Sequence, residues 1–467
     1  MNLFLKKIKS FDFYFAILLV LILLRAIFNA FIPLMDKTEA RYGEIARIMA
    51  ETNNWIVLQI DYGVPFWAKP PLSSWLSALS ISVFGSGEFF VRLPYLFLSL
   101  IMIFLVCKFL PKESKNKLVP GLILMSLPEF FIHAGVVSTD VPLSFSIAIV
   151  FLSFWKWLNT GFNQKWIYLF FIGLGLGLLA KGPIALIITL PPLFFWFIRF
   201  KFSLNLLFRI EILFGIIIFS IIAIPWYYLV EVNSPGFIDY FLFGEHFRRF
   251  FDSQWSGDKY GFPKSQPIGI IWGFLIIFTI PWITYLILKV ISNIKSIWND
   301  KWRLFLLFWL VWTPLFFSPS KSLIHPYILP VMTPIALLIS SWWEEMKNKN
   351  LYISLALIFP LLSFFLFIFG LGENLIKNNT DKFLIKKINV NETLFSFNEK
   401  SYSSQYYSAG KIKMIDKDAL DSILEINKPF SILINNNDIK KIRNKDKFIL
   451  LDKNTRKGIY RFSKINN

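Results

Sequence analysis

Long apolar runs alternate with short polar connections from residue 13 to residue 372. Runs at or near the roughly 20 residues a helix needs to cross a bilayer occupy 13–34, 89–110, 118–135, 139–158, 166–180, 183–200, 209–230, 267–290, 302–317, 325–343 and 351–372. The pattern predicts a polytopic α-helical membrane protein with about eleven transmembrane helices. Leu72 to Phe84 is apolar but rich in Ser and, at roughly 13 residues, too short to span; it predicts an interfacial or re-entrant helix. After Gly372 the pattern changes. Short β-type runs at Thr393–Phe397, Lys411–Ile415, Phe430–Ile434, Phe448–Leu451 and Gly458–Phe462 alternate with helical patterns at Ser401–Ala409 and Lys417–Ile426. A membrane domain over 1–372 is therefore expected to carry a small soluble α/β domain over 373–467. That second part has no glycine-rich phosphate loop and no paired-histidine motif, and the chain has no internal repeat.

Charge gives the runs a direction. Lys6, Lys7 and Lys9 precede the first run, so the positive-inside rule puts the N-terminus in the cytoplasm. Alternation then makes Lys108–Lys117, Lys156–Lys165, Arg199–Arg209, Lys289–Arg303 and Lys347–Lys349 cytoplasmic, and each is short and basic. The opposite set contains 35–88, Ser138, Lys181–Pro183, 231–266, 318–325 and everything after about 373. These connections hold nearly all the unusual polar residues, so the functional face is expected outside, in the periplasm of a Gram-negative cell, with the chain in the bacterial inner membrane. The first run is too long for a signal-peptide core and no small-residue cleavage site follows, which predicts a retained span.

Composition narrows the class further. Of 467 residues, 55% are hydrophobic, including 53 Phe, which excludes an ordinary soluble domain. The net charge of +19 reads as basic loops and a basic tail beside anionic headgroups rather than as a nucleic-acid surface. The single cysteine, Cys107, excludes an intramolecular disulfide and a cysteine metal cluster.

Candidate chemistry gathers in the outer connections. In "DKTEARYGEIARIMAETNNW", residues 36–55, Tyr42, Ile45, Ile48 and Met49 follow helical spacing, predicting an amphipathic surface helix. Arg41, Glu44 and Arg47 lie on its polar side, where Glu44 and Arg47 read as a solvated face. Asp36 and Glu39 are either helix-capping acids or site residues. In "FWAKPPLSSW" Pro70 fixes the backbone and holds Lys69 extended, while Pro71 opens the next helix. A cation held rigidly at a helix start suits a lipid-linked phosphate; a snorkelling lysine is the alternative. Lys181, before Gly-Pro, repeats that logic. Asp140 stands at the outer end of the fourth run, as a site acid or as part of a Ser138–Thr139 cap. His133 reads as either a satisfied core histidine or a site residue. The loop "GEHFRRFFDSQWSGDKYG" mixes His246, Arg248 and Arg249 with aromatics and with Glu245, Asp252 and Asp258, a mixture suited to a phosphorylated sugar. "SPSKSLIHPYILP" places Lys321 and His325 at the outer end of the tenth run. Cations with a few carboxylates, opening to lipid and without any nucleotide-binding motif, imply an anionic substrate delivered on a lipid carrier.

"TEARYGEIARIM", "YGVPFWAKPPLSSWLSALS", "FVRLP", "STDVPLSF", "AKGPIAL", "PWYY", "EHFRRF" and "SKSLIHPYILP" resemble, in this order over about 30–345, the aminoarabinose transferase and protein mannosyltransferase superfamily of GT-C membrane glycosyltransferases. The resemblance implies a GT-C fold and an inverting transfer from a polyprenyl-phosphate-linked sugar. The implied acceptor is lipid A or a related glycolipid. A Ser or Thr of a protein is the alternative, as is, in a different class, a lipid-linked sugar transporter; the clustering of charge at one face rather than at the midplane argues against transport. It implies that Asp36, Glu39 and Asp140 act on the acceptor, although Thr38 stands where the family commonly has an aspartate. Lys69, Lys181, Arg248 and Arg249 are implied to bind the donor phosphate, and Arg41, Tyr42, His246 and Lys321 the substrates. The aminoarabinose branch associates a metal with a Glu before the lysine; Ala68 stands there, so no metal or other cofactor is carried over.

Overall fold

The computed structural model of the protein describes residues 2–109, 116–249, 255–261, 265–389, 392–426, 428–442 and 447–462. Every apolar run is helical, but prolines cut several of them. The run 118–135 is two short helices, α5 (Val119–Ser126) and α6 (Pro128–His133), because Pro128 can start a helix but cannot continue one. The run 267–290 is α11 (Ile270–Ile277) and α12 (Trp282–Asn299), bent by 111° around Pro281. The run 325–343 is a tight turn, His325–Val331, leading into α14 (Met332–Ser341).

The long apolar helices are α1 (Asn2–Phe31), α4 (Glu88–Lys108), α7 (Asp140–Asn159), α10 (Ile210–Asn233) and α15 (Lys349–Ile368). By length and composition these five could each cross a membrane, or six spans if the bent pair counts as one, among the described residues. The remaining runs, among them α8 (Gln164–Lys181), α9 (Ile184–Arg199) and α13 (Lys301–Phe317), miss that criterion, so the figure of eleven is not reached on it. The chain is a multi-pass membrane protein. Glycines let α7 and α8 approach closely: a Cβ on Gly173 would lie 2.9 Å from Val150 Cγ2.

Two helices shape the first connection, α2 (Thr38–Thr52) and α3 (Leu72–Phe84), with a short hairpin of β1 (Gln59–Asp61) and β2 (Val64–Pro65) between them. Beyond α15 come α16 (Glu373–Asn378), α17 (Lys382–Ile385) and a sheet of β3 (Thr393–Phe397), β4 (Lys413–Ile415), β5 (Phe430–Asn435), β6 (Phe448–Lys453) and β7 (Lys457–Phe462), with α18 (Tyr402–Tyr407) and α19 (Lys417–Ile426). Its order is β4-β3-β5-β7-β6, with β4, β3 and β5 parallel and β7 antiparallel to both β5 and β6.

This C-terminal part sits on the first connection. The Leu34 N–H donates to Tyr407 Oη at 2.7 Å, Tyr406 donates to the Ser86 carbonyl at 2.7 Å, Lys400 pairs with Asp61 at 2.5 Å, and Lys382 pairs with Glu88. The cover overturns the solvated face expected on α2. Glu44 and Arg47 are buried as a bidentate pair at 2.7 and 2.8 Å, with α18 packed against their helix.

Candidate functional site

The polar connections converge on one cleft of two halves. The first half, about 290 Å³, is walled by Ile184, Ile187, Phe247, Phe316 and Phe317 and floored by Lys69, Lys181, Glu245, His246, Arg249 and Tyr327. The second, about 110 Å³, adds Lys37, Thr38, Arg41, Tyr42, Thr139, Asp140 and Tyr260. Lys69, Lys181, Glu245, Arg249, Ser322 and Tyr327 belong to both. An apolar half and a polar half thus share a charged wall.

Local structure explains how each group arrives. Lys69 leaves the chain at a bend just before α3, with Pro71 preceding the first helical residue. Asp140 is the first residue of α7 and Lys181 the last of α8, and their side chains pair at 2.5 Å. Gly182 follows Lys181 with φ +84°, and a Cβ there would lie 2.5 Å from Phe241, so only glycine lets the chain turn under that ring. A π-helical segment, Asp239–Arg248, carries Glu245 and His246 and leads into Arg249. Glu245 Oε1 takes Lys69 Nζ at 2.5 Å and Arg249 Nη1 at 2.7 Å, while Arg249 Nε lies 3.3 Å from Asp258. Lys181 Nζ sits 4.1 Å above the Tyr327 ring, and Arg41 donates to the Tyr260 carbonyl at 2.8 Å.

The electrostatics favour an anion. Lys37, Arg41, Lys69, Lys181 and Arg249 line the cleft against two carboxylates, Asp140 and Glu245. Burial opposes ionisation of Glu245, but Lys69 and Arg249 outweigh it and hold its carboxyl below the usual range. Burial also pushes the His246 imidazole down. Glu245 Oε2 and Arg41 Nε are buried without a hydrogen-bond partner. Buried polar atoms are normally satisfied, so these are the atoms a bound ligand would engage.

The other residues singled out from the sequence lie elsewhere. Asp36 turns to the C-terminal part, where its carboxylate accepts from the Ser403 N–H at 2.9 Å and from the Ser403 hydroxyl. Burial raises its pKa to about 6, with the Ser403 hydrogen bonds opposing. Glu39 is held bidentately by buried Arg92 at 2.7 and 2.8 Å; the same guanidinium caps the carbonyls of Asn29, Ile32 and Pro33. Neither acid lines the cleft, and neither caps α2. Arg248 and Lys321 are exposed outside it. Asp252 lies outside the described residues. Tyr260 and Tyr327 carry no signal in the sequence; Glu245 enters there only as one carboxylate of the loop, and its place four residues before Arg249, next to His246, is the signal for its pairing.

Metal binding at this end of the cleft does not fit the donors present. Ala68 offers no ligand atom, Glu245 Oε1 is shared between two cations, and His246 has both ring nitrogens against carbonyls, Phe241 at 2.8 Å and Lys181 at 3.0 Å.

The sequence pattern of the dolichyl-phosphate-mannose-protein mannosyltransferase family matches residues 7–241, half of the chain. The chain belongs to this family. Among curated relatives, the mannosyltransferase-family chain is 28% identical over 355 residues to the undecaprenyl phosphate-alpha-4-amino-4-deoxy-L-arabinose arabinosyl transferase of Wigglesworthia glossinidia brevipalpis. That match covers 74% of this chain and 61% of the relative. It is 30% identical over 335 residues to the protein of the same name from Photorhabdus laumondii, covering 68% and 57%. The match thus spans about three-fifths of the length of these relatives. In fold, the chain is similar to the crystal structure of ArnT from Cupriavidus metallidurans bound to undecaprenyl phosphate, with a TM-score of 0.76 over 96% of this chain and 98% of that one at 15% identity. The archaeal oligosaccharyltransferase AglB from Archaeoglobus fulgidus superposes with a TM-score of 0.50 over 92% and 70% at 11% identity. The mannosyltransferase-family chain therefore has the GT-C fold.

Proposed function

We propose that this protein is an inverting glycosyltransferase. It moves a sugar from a polyprenyl-phosphate carrier to lipid A or a related envelope glycolipid at the periplasmic face of the bacterial inner membrane, with its C-terminal domain on that side. The observation that carries this reading is the shared wall: one cleft offers an apolar half for an isoprenoid chain, a polar half for a sugar and acceptor, and Lys69, Lys181 and Arg249 between them. The names of the relatives support the donor and sugar class. The basic short connections on the opposite face support the orientation.

In the proposed displacement the acceptor oxygen attacks the anomeric carbon from the face opposite the carrier. The bond from that carbon to the phosphate oxygen breaks, and its electron pair stays on the leaving polyprenyl phosphate. Lys69 and Arg249 stabilise that growing charge in a site of low dielectric. Asp140, held by Lys181, orients the acceptor, and the free oxygen of Glu245 takes a sugar hydroxyl. A lipid A phosphate needs no base at neutral pH; a protein hydroxyl would hand its proton to Asp140. Asp36 and Glu39 hold the scaffold rather than the substrates.

The test is transfer by the purified full chain in nanodiscs supplied with defined polyprenyl-phosphate sugars. The expected result is lipid A heavier by one sugar, at a rate about 10²–10³-fold lower in Lys69→Ala. Donor consumed only when a Ser/Thr peptide is present would move the acceptor to protein. Donor left intact with both acceptors would reject transfer.

A further inference from the structure

The chain has three histidines, and two of them meet a third ligand-type residue away from the cleft's charged wall. Glu129 and His133 lie one turn apart on α6, and His325 opens the turn before α14. Both oxygens of Glu129 reach His325 Nδ1, at 3.0 and 3.1 Å, and Oε1 lies 3.1 Å from His133 Nδ1, which also faces the Glu129 carbonyl at 3.0 Å and leaves Nε2 as its other donor atom. The two imidazole centroids are 5.4 Å apart. One ligand atom from each of the three residues falls within 4.8 Å of the others. Tetrahedral coordination at zinc–ligand lengths sets ligand atoms roughly 3.4 Å apart, so small side-chain rotations close the triad around an ion.

Charge argues for that ion. Glu129 is fully buried, and among the described residues its ion-pair partners are only these two histidines; no Lys or Arg reaches it. Buried carboxylates are paired with a cation or bound to a metal. We propose that Glu129, His133 and His325 bind a divalent transition-metal ion, zinc by donor type. Two imidazole nitrogens and one carboxylate oxygen select a borderline ion over magnesium or calcium, and they leave a fourth position open.

The ion would staple three elements that are distant in sequence. The Glu129 N–H donates to the Phe278 carbonyl at 3.2 Å, which ties α6 to the α11–α12 bend. The Phe278 ring stacks on His325 at 4.6 Å and 12°. His325 belongs to the segment that supplies Ser322 and Tyr327 to the cleft wall. The metal is thus a positioning device for one wall, apart from the reacting atoms.

The experiment is elemental analysis of the full-length protein purified without a metal-affinity tag, then stripped with chelator and reloaded with Co²⁺. About one zinc or other transition-metal ion per chain is expected, with visible bands of a four-coordinate cobalt site after reloading. His325→Gln, at the partly exposed ligand, and Glu129→Gln should each lose metal at least tenfold, and stripping the wild type should lower its melting temperature. His246→Gln, which removes the third histidine, should keep its metal. Wild type that neither carries nor takes up metal would overturn the proposal and leave a hydrogen-bonded triad. Full metal in His325→Gln, or loss in His246→Gln, would overturn it as well.

Discussion

Two pairs of acids stand within a few residues of the cleft and do opposite work. Asp140 and Glu245 each meet a lysine at 2.5 Å on the cleft wall. Asp36 and Glu39 sit at the mouth of α1 but face away, one bonded to Ser403 and the other to Arg92. Nearness in sequence to "TEARYGE" does not separate the pairs; the partner of each carboxylate does. An acid whose oxygens are consumed by a buried guanidinium or by backbone and hydroxyl donors is part of the scaffold. An acid paired with a lysine at the edge of a cavity can exchange partners with a ligand.

This contrast can be broken in order of effect. Arg92→Ala should be the most damaging change. It leaves the part-buried Glu39 without a cation and with only the Val137 N–H, at 3.3 Å, at a cost of about 3–5 kcal/mol, read as lost folded yield and melting temperature, while the surviving molecules retain their turnover. If Glu39→Gln instead abolished transfer at unchanged stability, Glu39 would belong with the cleft acids. Lys69→Ala should lower kcat by about 10²–10³-fold through lost stabilisation of the leaving phosphate, with melting little changed; preserved kcat would remove the lysine from that role.

Asp36→Asn should act through pH. The folded pKa of Asp36 is raised from 3.8 to about 6, so the fold prefers its protonated form. That contribution is fully present below 3.8 and is lost as pH rises through 6, a difference of about 3 kcal/mol. The melting temperature of the wild type relative to Asp36→Asn should therefore fall between pH 4 and 6.5. A difference between the two proteins that does not change over this window would contradict the burial of Asp36. Arg248→Ala and Lys321→Ala, both exposed outside the cleft, should change transfer and stability least, within about 0.5 kcal/mol; a tenfold loss in either would extend the site beyond the wall.

Local patterns were legible and distant pairings were not. Leu72–Phe84 has the expected bounds, and the strand Thr393–Phe397 and helix Lys417–Ile426 also coincide with their patterns, because periodicity is a local property. Lys69 and Lys181 stood out through the prolines and glycine beside them. What holds them did not: Glu245 is 176 residues from Lys69, and Ser403 is 367 from Asp36. The solvated reading of Glu44 and Arg47 failed for the same reason, since α18 arrives to cover them from far along the chain. Hydropathy alone also ran through Pro128 and Pro281, where the backbone breaks the helices.

In the proposed function Lys69, Lys181 and Arg249 hold a lipid-linked phosphate between the two halves of the cleft. Native mass spectrometry of the full chain with undecaprenyl phosphate, and with undecaprenol as the uncharged control, tests it directly. Wild type and Asp36→Asn should retain the phosphate lipid and release the alcohol, whereas Lys69→Ala/Arg249→Ala should retain neither. Equal retention of the phosphate lipid by that double variant, or of the alcohol by wild type, would contradict it.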